Sequence, residues 1–123
     1  MISKEMYREH ILENYRNPEN FGELKNPTTT YKQFNPICGD EIQIQLLIKN
    51  NKVVDVKFKG QGCAISIAST SLLTKKIKGS TIKEIKSLQN EDLLDLLKIK
   101  INPARLNCAL MSLDALKKAI EKC

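Results

Sequence analysis

The hydrophobic pattern of this 123-residue chain changes period at Gly60-Gln61-Gly62-Cys63. Before that point the apolar residues alternate. Ile42, Ile44, Leu46 and Ile48 share one face of Glu41 to Ile48, and Val54, Val56 and Phe58 share one face of Val53 to Lys59. A period of two predicts strands with one buried and one wet face. Lys49-Asn50-Asn51-Lys52 supplies the turn between them, and Thr28 to Phe34 adds a strand. After Cys63 the spacing is helical. Ala64 to Ile77 predicts a helix that stops where Lys75, Lys76 and Lys78 crowd its end and Gly79 follows. Thr81-Ile82-Lys83-Glu84 has the spacing of a capping box for a short helix, and Asn90 can cap another over Glu91 to Leu97. Leu106, Leu110, Leu113, Leu116 and Ile120 make the stripe of a last helix, which starts at Asn102-Pro103 or at Asn107. A first helix, Lys4 to Tyr15, is capped by Ser3 and ended by Asn17-Pro18; Met6, Tyr7, His10, Ile11 and Asn14 lie on one side of it. Residues 17 to 28, with two Asn-Pro pairs and Gly22, read as an irregular connection. Strands first and helices after predict an α+β fold, a three-stranded antiparallel sheet with helices packed on one face, in one domain spanning residues 1–123.

Composition excludes several classes. Hydrophobic residues make up 41% of the chain, enough for a core and too many for disorder. No apolar run has the length of a membrane span, and the first residues carry no secretory signal, so a soluble, cytoplasmic protein is expected. The net charge is +6, but the lysines are dispersed, aromatics are 5%, Trp is absent, and Arg8, Arg16 and Arg105 are the only arginines. Nucleic-acid modules usually set aromatics or Arg beside their charge. The cations therefore read as a solvated surface, with a basic face for an acidic protein as the sharper alternative.

Three cysteines stand at predicted element ends: Cys38 in Asn-Pro-Ile-Cys-Gly-Asp, Cys63 in Gly-Gln-Gly-Cys-Ala-Ile, and Cys108 in Arg-Leu-Asn-Cys. In an extended segment residues i and i+2 point the same way, so Cys38 and Asp40 can face one metal, with Gly39 letting the backbone bend close. Taken alone, Cys-Gly-Asp would more simply be a turn with a passing cysteine. Cys63 lies between a glycine loop and a helix start, where the partial positive charge of a helix N-terminus favours a thiolate; the plainer reading is a buried structural cysteine. Gly60 and Gly62 are expected to supply backbone conformations that other residues resist. The small residues that follow, Ala64, Ser66, Ala68, Ser69, Thr70 and Ser71, fit either close helix-to-sheet packing or room for a cluster or a partner's loop. Together Cys38, Asp40, Cys63 and Cys108 would offer four donors to one iron–sulfur cluster or one zinc ion. No Cys-x-x-Cys pair is present, so such a site must be assembled by tertiary structure. Cys123 has no motif around it and is read as a bystander. His10, the sole histidine, is read as packing or hydrogen bonding on its helix rather than as a ligand.

These segments resemble the iron–sulfur cluster assembly scaffolds of the IscU type and the N-terminal domain of NifU, with their relative SufU. The resemblance runs from Tyr7–Gly22 through Asn35–Asp40 and Gly60–Ser71 to the helix of Cys108. It implies an IscU/SufU-like fold and a scaffold rather than an enzyme. Such a scaffold takes persulfide sulfur from a cysteine desulfurase and electrons from a donor such as ferredoxin. It builds a [2Fe-2S] cluster on Cys38, Cys63 and Cys108 and passes it to apo-proteins. Asp40 carries over as the acidic ligand or as a control on release, and Cys108 as the persulfide acceptor. A cluster shared between copies would make the holo form a dimer or trimer.

The chain also departs from the family's pattern. IscU proteins place a His immediately before the third cysteine, where this chain has Asn107. That leaves Asp40 as the fourth donor, and an oxygen among thiolates predicts a labile cluster. Of the Leu-Pro-Pro-Val-Lys segment that an Hsp70-type chaperone binds, Ile101-Asn102-Pro103-Ala104-Arg105 keeps one proline, which argues against that partner. SufU also lacks the His and resembles a zinc-bound sulfur carrier, but carries an insertion between its second and third cysteines. Here 44 residues separate Cys63 from Cys108, the shorter IscU-like length. A zinc-dependent sulfurtransferase is thus the competing reading, with Zn2+ filling the same donors in the cluster-free form. A structural zinc site in a basic nucleic-acid module is a third, disfavoured by the scattered lysines.

Overall fold

The computed structural model describes residues 4–36, 39–98 and 100–123, and within α1 the side chains from residue 8 onward. The predicted cap Ser3, the side chains of Met6 and Tyr7, and Cys38 lie outside the described residues. The elements run α1 (Lys4–Arg16), β1 (Thr29–Phe34), β2 (Glu41–Lys49), β3 (Lys52–Gln61), α2 (Ala64–Ile77), α3 (Ile82–Lys86), α4 (Asn90–Leu97), a 3-10 turn (Pro103–Arg105) and α5 (Leu106–Glu121).

The alternating segments form one antiparallel sheet in the order β1-β2-β3. Its inner face is Ile42, Ile44 and Leu46 of β2 with Val53, Val56 and Phe58 of β3. These pack in one cluster with Leu73 and Ile77 of α2 and Leu113, Leu116 and Ile120 of α5. Each such side chain, once buried, contributes roughly 1.5–3 kcal/mol. The outer face is polar: Lys32, Gln43 and Lys59 stand in one cross-strand row. The helices therefore cover one face, the α+β layout that the change of period predicts.

One strand assignment is corrected. Val54 does not share the buried face with Val56 and Phe58; it is 42% exposed, while Val53 is fully buried. The cause is a bulge. Leu47 pairs with Asp55 but Ile48 pairs with Val53, so Val54 has no partner across the ladder and is turned outward. Strict alternation cannot foresee an extra residue in one strand.

Helix ends follow local chemistry. The Thr81–Glu84 capping box forms, with Glu84 N–H donating to Thr81 Oγ1 at 3.1 Å and Thr81 N–H to Glu84 Oε1 at 3.0 Å. The cap of α4 is Gln89 rather than Asn90, because Asp92 accepts the Gln89 N–H at 2.7 Å and draws the start one residue earlier. Neither start open for α5 is used: Asn102-Pro103 begins a separate 3-10 turn, where Asn102 Oδ1 accepts from Ala104 N–H at 2.9 Å, while α5 itself begins at Leu106 behind Arg105 and holds Asn107 inside it.

The small polar residues of α2 find a structural explanation. Ten of its residues are buried, including Ser66, Ser69, Thr70, Ser71 and Thr74. The Ser69 and Thr70 hydroxyls donate to the Ser66 carbonyl at 3.0 and 2.8 Å. Ser71 Oγ accepts from Glu19 N–H and donates to Asn14 Oδ1, both at 2.8 Å, and Thr74 Oγ1 accepts from Asn20 Nδ2 at 3.2 Å. Short hydroxyl side chains let α1 and the 17–22 connection lie close on α2 and satisfy their polar groups there. Packing against α1 and the connection, rather than against the sheet or around a partner, accounts for Ser71 and Thr74. Phe58 ties the same connection to β3, donating its N–H to Asn20 O at 2.9 Å and accepting from Gly22 N–H at 2.8 Å.

Candidate metal centre

Three segment ends meet at one rim of the sheet. Asp40 immediately precedes β2, Cys63 is the residue before α2, and Cys108 lies in the first turn of α5. One ligand atom from each of Asp40, Cys63 and Cys108 lies within 4.8 Å of the other two. Asp40 and Cys108 are buried, at 4% and 5% exposure, whereas Cys63 is half-buried.

Each position has a local cause. The turn before β2 is closed by Asn35 N–H to Asp40 O and Gly39 N–H to Asn35 O, both at 2.8 Å, and Gly39 has φ +78°, a region open to glycine. Cys63 has the extended backbone of an N-cap, φ −71° and ψ 166°, and its carbonyl accepts the Ile67 N–H at 3.1 Å. Its thiol makes no capping bond. Neither α2 nor α5 has an acidic residue in its first turn. Cys63 and Cys108 thus each stand at the N-terminal end of a helix.

Gly60 and Gly62 are corrected in their reason. Positive φ occurs at Gly22, Gly39 and Gly79, not at either of these two. What they supply is space. A Cβ on Gly60 would lie 2.1 Å from the Glu41 carbonyl oxygen, and one on Gly62 would lie 2.7 Å from Asp40 Cγ. The Asp40 carboxylate is packed directly on the bare backbone of Gly62. Its Oδ2 is buried without a hydrogen-bond partner among the described residues. A buried carboxylate oxygen left so costs free energy unless a cation or proton compensates it, which fits a metal-binding role.

The other residues singled out in the sequence lie elsewhere. Asn107 is exposed and lines a separate cavity of about 350 Å3 with Gln33, Phe34 and Pro36. His10 is half-buried on α1, outside the group around Asp40, and its Nε2 has no hydrogen-bond partner among the described residues. Cys123 follows the far end of α5, where its thiol donates to Ala119 O at 3.7 Å. Fifteen residues of helical rise, roughly 22 Å, separate it from Cys108. Sequence reasoning missed an apolar groove of about 560 Å3 beside Cys63, lined by Ile11 and Leu12 of α1, Ala64 and Ile65 of α2, and Ile101 and Pro103. Its residues come from three distant segments, so no local signal marks it.

Fold and site define a small α+β fold that gathers thiols and a carboxylate at one rim of its sheet. The profile of the NifU-like N-terminal domain matches residues 6–123, and the chain belongs to that family. It is 37% identical to the iron–sulfur cluster assembly enzyme IscU of Drosophila melanogaster, over 94% of this chain and 76% of that protein. It is 36% identical to the zinc-dependent sulfurtransferase SufU of Bacillus subtilis, over 95% of this chain and 90% of that one. A solved structure described as a proposed iron–sulfur cluster assembly scaffold of the SUF system, from Fervidobacterium islandicum, superposes with a TM-score of 0.80 at 28% identity, covering 96% of this chain and 99% of its own.

Proposed function

We propose that this chain is a scaffold on which a [2Fe-2S] cluster is assembled and from which it is handed to apo-proteins. The observation that carries the reading is the meeting of Asp40, Cys63 and Cys108 within 4.8 Å at one rim of the sheet, with Cys63 the half-buried member. Cys38, two residues before Asp40 in the sequence, completes the proposed donor set. Three thiolates and one carboxylate suit iron held moderately, since the oxygen donor is the weakest partner in a sulfur-rich set. In the same reading the cluster is cargo, the protein is not a turnover enzyme, and the thiols work in a reducing, cytoplasmic compartment.

Sulfur enters by thiol exchange. The Cys108 thiolate attacks the outer sulfur of a persulfide on a cysteine desulfurase; a new S–S bond forms at Cys108 and the desulfurase thiolate leaves. Reduction of that persulfide to sulfide takes two electrons, supplied by a ferredoxin-type donor. Exchange needs an accessible thiolate, and Cys108 is 5% exposed. Transfer to it therefore requires the rim to open on the desulfurase.

The zinc-dependent sulfurtransferase is the second reading, because the donors suit tetrahedral zinc equally well. Against it, the alignment with SufU runs over 134 positions, more than the 123 residues of this chain, so SufU carries residues with no counterpart here. Anaerobic incubation with cysteine, a cysteine desulfurase, ferrous iron and reductant separates the two. The scaffold reading expects a [2Fe-2S] Mössbauer signature that needs all three cysteines and moves to an apo-ferredoxin. Retained zinc, stimulated desulfurase turnover and no cluster would establish the sulfurtransferase.

A further inference from the structure

We infer that Gly62 is a positioning residue: its missing side chain is the seat of the Asp40 carboxylate, and this glycine thereby sets how tightly the site holds metal. The inference rests on the proposed donor set and deepens it. A Cβ at Gly62 would lie 2.7 Å from Asp40 Cγ, 2.8 Å from Oδ1 and 3.1 Å from its Cβ. The first two separations are shorter than any such contact that a packed side chain sustains. The backbone of Gly62 makes no demand for glycine, since its φ lies outside the left-handed region. Space for Asp40 is the demand.

The carboxylate has little else to hold it. Oδ2 has no hydrogen-bond partner among the described residues, so packing fixes its direction. Asp40 also cannot retreat as a whole. Its carbonyl is tied to Asn35 N–H at 2.8 Å, and the next residue, Glu41, is paired with Gln61 across the ladder. A methyl group at position 62 must therefore turn the carboxylate away from Cys63 and Cys108 rather than shift the chain. Gly60 differs in kind: its Cβ would strike the Glu41 carbonyl oxygen at 2.1 Å, so a substitution there breaks strand pairing and not the site alone.

The test is a double-mutant cycle on the purified chain, read with Co(II) as a probe and Zn(II) in competition, together with the thermal melting of the metal-free forms. Gly62→Ala is expected to weaken Co(II) binding roughly 10–100-fold, as removal of groups that orient ligands does, with altered ligand-field bands. In the Asp40→Ala background the same substitution is expected to change binding less than twofold, since the methyl group then has room. Equal losses in both backgrounds would overturn the inference, because Gly62 would then act through Cys63 or the fold. Wild-type binding by Gly62→Ala, or by Asp40→Ala, would overturn it too. If Gly62→Ala alone fails to fold, a folded Asp40→Ala/Gly62→Ala protein supports the contact and an unfolded one refutes it. The readout does not involve cluster assembly: a wild-type chain that builds no cluster yet shows this coupling removes the scaffold reading and leaves the seat intact.

Discussion

At the scale of single residues, burial orders the chemistry of the thiols. Cys123 is exposed, Cys63 is half-buried and Cys108 is buried. Alkylation of the metal-free protein, followed by mass spectrometry, is expected to modify Cys123 first, Cys63 next and Cys108 last. Faster labelling of Cys108 than of Cys63 would mean that the rim opens without a partner. Asp40 is the second informative residue. As the sole oxygen donor among thiolates it is the weakest bond of the proposed set, and its Oδ2 is buried and unpartnered among the described residues. A mononuclear Co(II) or Zn(II) ion loses a ligand when Asp40 is removed, but in a cluster the weak oxygen bond is where an acceptor thiolate enters, so Asp40→Ala is expected to lengthen the half-life of a reconstituted cluster and slow its transfer to apo-ferredoxin. Visible absorption at fixed times reads both, and an unchanged half-life would remove Asp40 from the control of release. Asp40 and the cysteines are plain in the sequence because donor type belongs to the residue. The need for Gly62 is not, because a glycine chosen for space looks the same in sequence as one chosen for its φ.

At the scale of elements, the bulge between β2 and β3 and the hydroxyl seam of α2 carry the useful contrasts. Val53 is fully buried and Val54 is turned out. Val53→Ala is expected to cost about 2 kcal/mol and Val54→Ala less than about 0.5 kcal/mol in urea unfolding. The reverse order would place the bulge elsewhere. Ser71→Ala leaves the Glu19 N–H without its acceptor and Asn14 without its donor. The expected loss is about 1–2 kcal/mol, with faster amide exchange at Glu19. Thr81→Ala removes one half of the box at α3 and is expected to cost about 1 kcal/mol, with Co(II) affinity unchanged. The boundaries of these elements are largely legible, since caps, lysines at helix ends and Asn-Pro breaks act within a turn of where they sit. The bulge is not, because it depends on which residue of one strand faces which of another.

At the scale of the whole molecule, the site is a by-product of how the sheet and two helices pack. Cys63 opens α2 and Cys108 lies in the first turn of α5, and both helices are held on the inner sheet face by Phe58, Leu73, Leu113 and Leu116. Metal that binds only the assembled site must stabilise the fold, by about 2.7 kcal/mol at a free concentration of 100 times Kd. Zinc is expected to raise the melting temperature of the wild-type chain, and Cys38→Ser, Cys63→Ser or Cys108→Ser is expected to reduce that rise. A rise undiminished in all three would mean that zinc binds elsewhere.

By itself the sequence determined the order and kind of the elements, the polarity of each face and the types of donor available. Those follow from periodicity and side-chain chemistry, which act over a few residues. Only the tertiary structure decided that Asp40, Cys63 and Cys108 share one rim, that Val53 rather than Val54 faces the core, and that Gly62 exists to make room for a carboxylate. Those depend on strand register and on helix packing across segments as far apart as the 67 residues between Asp40 and Cys108, distances that no local pattern spans.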